Sequence, residues 1–184
     1  MILLRHAESE FNVHYSRTRV DPGIRDPEIT ERGRGQARDA ASALNGRSIT
    51  RIVTSPYIRA LQTAEIVADV LHLPVSVNAA VGERCAFTCD LGTAPTELSA
   101  RWPDFSFHHL EEEWWPTPVE SDSVFRWRCE RFRSSSAKTE DWPEVLVITH
   151  WGFVRGLTGL SITNAETTLF DPNDYPLPTV EDPS

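Results

Sequence analysis

Val145-Leu146-Val147-Ile148-Thr149-His150 is an unbroken run of branched apolar residues that stops on a histidine. Such a run, too short for a buried helix and rich in β-branched residues, predicts a strand covered on both faces. Ile2-Leu3-Leu4-Arg5-His6 repeats the pattern near the start of the chain: a short apolar strand that again ends on histidine. Two further runs, Arg51-Ile52-Val53-Thr54 and Val75-Ser76-Val77, read as strands, and Ala165–Phe170 reads as a last one. Between them lie helical patterns. Thr30 is a natural N-cap for a helix over 31–45 with Ala37, Ala40, Ala41 and Leu44 inward, ended by Asn45-Gly46. Ser55-Pro56 supplies an N-cap and a proline at the first position of a helix over 56–72, with Tyr57, Leu61, Ala64, Ala68 and Leu71 on one face. A helix over 121–133 places Val124, Phe125, Phe132 and the stem of Arg128 on one side, and Trp151-Gly152 opens a short helix. Residues 13–29, with Asp21-Pro22-Gly23 and Asp26-Pro27, carry loop chemistry. Strands alternating with helices imply an α/β sandwich with a mostly parallel sheet.

The chain has 184 residues, 40% of them hydrophobic, enough for one core without staples. One domain is expected over residues 1–170, with an irregular insertion at about 79–120 near or over the site and a proline-rich tail over 171–184. The formal net charge of −9 disfavours nucleic acid and anionic membrane surfaces as partners. Three cysteines, Cys85, Cys89 and Cys129, are too few for a disulfide framework. No run is long enough to span a bilayer and no signal-peptide pattern opens the chain, so a soluble, cytoplasmic protein is expected. The oligomeric state stays open, with a homodimer as one option.

In open α/β sheets ligands bind at the carboxyl ends of the strands, so His6 and His150 are expected at one edge. The helix after Thr54 carries Arg59 in its first turn, where free N–H groups attract anions. Arg5, Arg59 and two imidazoles make a cage suited to phosphate, because a guanidinium binds phosphate oxygens in bidentate fashion. Metal ligation by the histidines would need a third ligand, and two arginines would oppose a divalent cation. No metal and no cofactor are expected.

Four blocks then carry a resemblance. Arg5-His6-Ala7-Glu8-Ser9-Glu10-Phe11-Asn12, Ile29-Thr30-Glu31-Arg32-Gly33 with Gln36-Ala37, Ser55-Pro56-Tyr57-Ile58-Arg59-Ala60-Leu61-Gln62-Thr63-Ala64, and Thr149-His150-Trp151-Gly152 occur in this order. Together they resemble the histidine phosphatase superfamily, also called phosphoglycerate mutase-like, over residues 2 to about 170. The resemblance implies a three-layer α/β/α sandwich and a metal-independent phosphomonoesterase acting on a small-molecule phosphate ester. It implies His6 as nucleophile, forming a phosphohistidine, with Arg5, Arg59 and His150 stabilising the transferred group and Asn12 and, less so, Ser9 at the pocket wall. It points to Glu83, in Val81-Gly82-Glu83-Arg84, as general acid; Glu8, Glu10, Glu97 and Asp90 are lesser candidates. Such an acid needs a raised pKa, through burial or a negative neighbour.

Two positions depart from the family's commonest residues: Ala7 and Trp151 stand where it most often has glycine, and Trp151 puts substrate scope in question. Arg84 and Trp151 are candidate substrate contacts. The insertion offers Glu111-Glu112-Glu113-Trp114-Trp115, with Arg84, Arg101, His108 and His109 as its basic groups. It reads either as an acidic, aromatic lid or as a solvated loop with Trp114 and Trp115 in the core. A second anionic group on the substrate is disfavoured, which argues for hydrolysis over mutase action. A binding module without catalysis is the remaining reading.

Overall fold

A computed structural model describes residues 1–116 and 119–174. Five strands form one sheet: β1 (Ile2–Arg5), β2 (Arg51–Thr54), β3 (Val75–Val77), β4 (Val145–Thr149) and β5 (Thr167–Leu169). Their order is β3-β2-β4-β1-β5. The first four are parallel and β5 closes the edge antiparallel to β1. The helices are α1 (Glu10–Thr18), α2 (Glu31–Leu44), α3 (Ile58–Leu71), α4 (Pro95–Arg101), α5 (Asp122–Ser136) and α6 (Trp151–Thr158).

Strand side chains alternate between faces, and each face is covered. Ile2, Leu4, Ile52, Leu146 and Ile148 pack with Ala41 and Leu44 of α2 and Ala60, Ala64 and Val67 of α3. Leu3, Val53 and Val147 pack with Phe125, Cys129 and Phe132 of α5 and Phe153, Val154 and Leu157 of α6. The result is the expected three-layer sandwich. The small alanines on α2 and α3 let these two helices approach each other and the sheet closely.

Four local expectations are corrected. Residues 13–18 are helical, not loop: α1 starts at a reciprocal cap in which Ser9 Oγ accepts the Asn12 N–H and Asn12 Oδ1 accepts the Ser9 N–H. Only Phe11 of α1 is buried, so apolar periodicity gives no signal. Helix α3 begins at Ile58, two residues later than expected. The Ile58 N–H is capped from a distant loop, by Asp26 Oδ1 at 2.9 Å, while Ser55 Oγ accepts the Tyr57 N–H at 3.4 Å. Val124 of α5 is exposed, and Cys129 takes the inward position instead. The insertion holds a helix, α4, whose Leu98 packs with Trp102 and Phe107 against Ile58 and Leu61. Of the tail, residues 175–184 lie outside those described. No helix of the described residues is long and apolar enough to cross a membrane.

The Thr30-Glu31-Arg32-Gly33 block has a steric reason. Thr30 Oγ1 caps the Gly33 N–H at 3.0 Å. A Cβ at Gly33 would collide with the backbone carbonyl oxygen of Glu8, two residues past His6. Gly33→Ala should therefore force α2 away from the β1 loop and cost about 1–3 kcal/mol in urea unfolding, as overpacking does.

Candidate active site

The sheet register builds the site. β1 and β4 pair with Arg5 opposite Thr149, and β2 and β4 with Thr54 opposite Ile148. The residues that follow the three strands, His6, His150 and Ser55, therefore emerge together at one edge. The two imidazole centroids are 5.1 Å apart. Both rings are buried. His6 Nδ1 lies 2.7 Å from the Ala7 carbonyl oxygen. A carbonyl only accepts, so Nδ1 carries the proton and Nε2 keeps its lone pair. His150 Nε2 lies 2.8 Å from Ser55 Oγ, while its Nδ1 is buried without a hydrogen-bond partner. The pKa of each histidine is held well below the ordinary imidazole value, by burial first and then by Arg59; Arg5 adds to this for His6.

Arg5 donates to the Ile162 carbonyl at 2.9 Å, and its Nε has no partner. Arg59 is buried and already engaged. Its two terminal nitrogens donate to the Cys89 carbonyl at 2.8 Å and to Asp90 Oδ1 at 3.1 Å, and its guanidinium lies 4.5 Å from the centre of the Tyr57 ring. A second buried carboxylate flanks it, with Asp26 Oδ1 3.9 Å from Nη1. From sequence alone Arg59 reads as an open fork, and Asp90 ranks low. The contact needs the fold, because positions 59 and 90 are far apart in the chain.

Glu83 reaches the same edge from the segment after β3. Its carboxylate accepts the Arg84 N–H at 2.8 Å and, at the start of α6, the Gly152 N–H at 3.1 Å. A side chain at 152 would collide with that carboxylate, which explains the glycine after Trp151. Burial raises the Glu83 pKa, and the negative charge of Asp90 raises it further against the two N–H bonds and Arg59. The backbone beneath Glu83 is clamped by Arg128 of α5, which donates to the carbonyls of Ala80, Gly82 and Glu83 at 2.9, 2.8 and 3.2 Å. Arg128 is itself held by buried Glu120 in a two-pronged pair at 2.9 and 2.6 Å. The sequence pattern marks only the stem of Arg128, as core material.

These groups open onto a cavity of about 530 Å³ lined by Arg5, His6, Ser9, Asn12, Arg59, Glu83, Arg84, Trp151 and Gly152, among others. His150 is not among its lining residues. Asn12 Oδ1 accepts from Ser9 N, Ser9 Oγ and Asn164 Nδ2, at 3.0 to 3.1 Å, so its own amide nitrogen is what remains for a ligand. Asn164, which also donates to the His6 carbonyl at 3.1 Å, carries no signal in the sequence. Arg84 is paired with Asp122. Trp151 is 37% exposed at the rim, its indole N–H donating to Ser161. Glu8 is taken up by Thr30 and Arg32, while Glu10 and Glu97 point to solvent.

The lid reading of 111–115 is corrected. Glu111, Glu112 and Glu113 are exposed, while Trp114 packs edge-on to Tyr57 at 4.7 Å and Trp115 packs on Trp114 at 5.5 Å. What the insertion brings to the cavity is the stretch 83–90. Among the described residues, no group of three or more His, Cys, Asp and Glu side chains is set to hold a metal ion. All three cysteines are buried and free of disulfides.

The chain matches the family model described as histidine phosphatase superfamily (branch 1) over residues 1–173. It is similar to a 2,3-bisphosphoglycerate-dependent phosphoglycerate mutase of Methylobacterium radiotolerans, 34% identical over 113 residues, which are 59% of this chain and 51% of the mutase. The chain spans about half the length of such curated relatives. An adenosylcobalamin/alpha-ribazole phosphatase of Escherichia coli is 27% identical over 158 residues, 82% of this chain and 72% of that protein. Among solved structures, a mycobacterial glucosyl-3-phosphoglycerate phosphatase in complex with VO3 shares the fold with a TM-score of 0.64 at 23% identity, covering 91% of this chain and 88% of that one.

The clamp yields a stability test. Arg128→Met leaves Glu120 buried without its partner and should cost about 3–5 kcal/mol in urea unfolding. Replacing Glu120 by Leu in the same variant should recover much of that loss.

Proposed function

Because the chain belongs to the histidine phosphatase superfamily, we propose that it hydrolyses small-molecule phosphomonoesters through a phosphohistidine on His6, with Glu83 as general acid and base. The observation that carries this reading is the bond from His6 Nδ1 to the Ala7 carbonyl, which keeps the Nε2 lone pair available. In the first step Nε2 attacks phosphorus and the ester P–O bond breaks, while Glu83 gives its proton to the departing alkoxide. In the second step ionised Glu83 takes a proton from water. The water oxygen attacks phosphorus, the P–N bond breaks and phosphate leaves. Arg5, Arg59 and His150 stabilise charge on the three equatorial oxygens, and the Asn12 amide adds a neutral donor.

The two perturbed pKa values suit these roles. The depressed His6 pKa favours the neutral nucleophile, and the raised Glu83 pKa favours the protonated acid. Hydrolysis is favoured over mutase action by the Arg84–Asp122 pair, which occupies a cation that a second anionic group would need. The similarity to an adenosylcobalamin/alpha-ribazole phosphatase over most of both chains also supports it.

His6→Ala should abolish turnover of ester phosphates in the presence or absence of a chelator, and rapid quench of the wild type should trap a labelled adduct that is stable in base and labile in acid. An adduct on another residue, or activity surviving His6→Ala, would sink the reading. Conversion of 3- to 2-phosphoglycerate at rates rivalling hydrolysis would favour a mutase instead.

The pH profile offers a second check. A raised acid pKa means that the proton-donating form is lost as pH rises through that value, so the alkaline limb of kcat reports Glu83. Asp90→Asn removes the negative neighbour and should move this limb to lower pH. A limb that stays in place would remove Asp90 from the account.

A further inference from the structure

One wall of the cavity has no part in the chemistry above. Phe11 and Tyr15, one turn apart on α1, stack with ring centroids 5.2 Å apart. Phe87, from the insertion, meets both rings, at 5.6 Å from Phe11 and 5.2 Å from Tyr15. All three line the cavity that holds His6, together with Ala86 and Arg19. The Arg19 guanidinium lies 5.7 Å from the Tyr15 ring and extends the same surface to the rim. Phe87 is 39% exposed, an unusual state for a phenylalanine inside a concave site.

The ring is also held in place. The Ala86 and Phe87 N–H groups donate to Asp90 Oδ2 at 3.0 and 3.1 Å, and the Thr88 N–H donates to Asp21 Oδ2 at 2.8 Å. Asp90 is the carboxylate whose other oxygen receives Arg59. One buried side chain thus fixes the distance between the cationic end of the cavity and its aromatic wall. A loop with its rings held this way has little ordering entropy left to lose when a ligand arrives.

We propose that the Phe11–Tyr15–Phe87 wall is the subsite for the alcohol part of the substrate, and that this site takes phosphomonoesters whose organic group carries an aromatic ring. This rests on the reading of the His6 cage as the phosphate site. The wall presents carbon and π faces, which suit a flat ring by offset or edge-on contact. A sugar or glycerate moiety would instead need donors and acceptors for its hydroxyls. A cavity of about 530 Å³ accommodates phosphate plus a ring system.

Phosphonates test the subsite without turnover, because their P–C bond is not cleaved. By calorimetry, 2-phenylethylphosphonate should bind the full chain at least about tenfold more tightly than ethylphosphonate, the scale expected for burying one ring. In Phe87→Ala this preference should fall to within about threefold of parity. Equal affinities in the wild type, or a preference that survives in both Phe87→Ala and Tyr15→Ala, would overturn the subsite. Turnover is then measured with 2-phenylethyl phosphate and ethyl phosphate, whose leaving alcohols are chemically matched. Preferential binding of the ring-bearing phosphonate with hydrolysis of neither ester would uphold the subsite and overturn the phosphatase reading.

Discussion

The parallel pairing of β1 with β4, in register at Arg5 and Thr149, is the constraint on which the rest of the site depends. It puts the next residue of each strand at the same sheet edge, so that two imidazoles separated by most of the chain come within 5.1 Å. The His6 N–H donates to the Thr149 carbonyl at 2.8 Å, which extends the ladder to His6 itself. A slip of one residue would send His6 or His150 to the opposite face and dissolve the pair. Two covered faces of aliphatic side chains make that slip expensive. The candidate site residues are thereby seated at the ends of paired strands, and loops around them supply the rest of the site.

Around this pair the protein separates proton affinities. Burial acts on every group at the edge, but its sign depends on the group: it lowers a histidine and raises a carboxylic acid. Arg59 and Asp90 then divide the charge. The arginine reinforces the depression of both histidines, and the aspartate reinforces the elevation of Glu83. The two shifts therefore run in opposite directions within one site, although the chain as a whole carries a formal charge of −9. Arg5 and Arg59 bring positive charge to one edge of an acidic chain, and Asp90 and Asp26 are the buried counter-charges beside Arg59.

The insertion contributes by its first few residues. Glu83 is docked on the first turn of α6, underpinned by Arg128 and Glu120, and followed by the stretch that ends at Asp90. The conspicuous Glu111–Trp115 segment has a different role, since its tryptophans pack beneath the site, on Tyr57 and on each other. Of the two readings the sequence left open for Trp114 and Trp115, a lid or core packing, the structure takes the packed one, and Phe11, Tyr15 and Phe87 form the cavity wall.

The sequence by itself determined the sheet and the helices that cover its two faces, and it singled out His6, His150, Arg5 and Arg59 as candidate site residues. These are signals of local chemistry: apolar runs of strand length, a threonine cap, and four short blocks in a set order. Glu83 entered only through the family resemblance, as the acid expected in the segment after the third strand. The sequence could not reach the contacts made across long stretches of chain, because no local pattern encodes them. The Arg59–Asp90 pair, the capping of α3 by Asp26, the Arg128–Glu120 clamp, the link from Asn164 to Asn12 and the meeting of Phe87 with α1 all belong to this class. A polar helix with one buried residue, α1, escapes notice for the related reason that its start is set by side-chain caps and not by apolar period. Each of those contacts exists only once burial has removed water as the competing partner, so it was the tertiary structure that decided them.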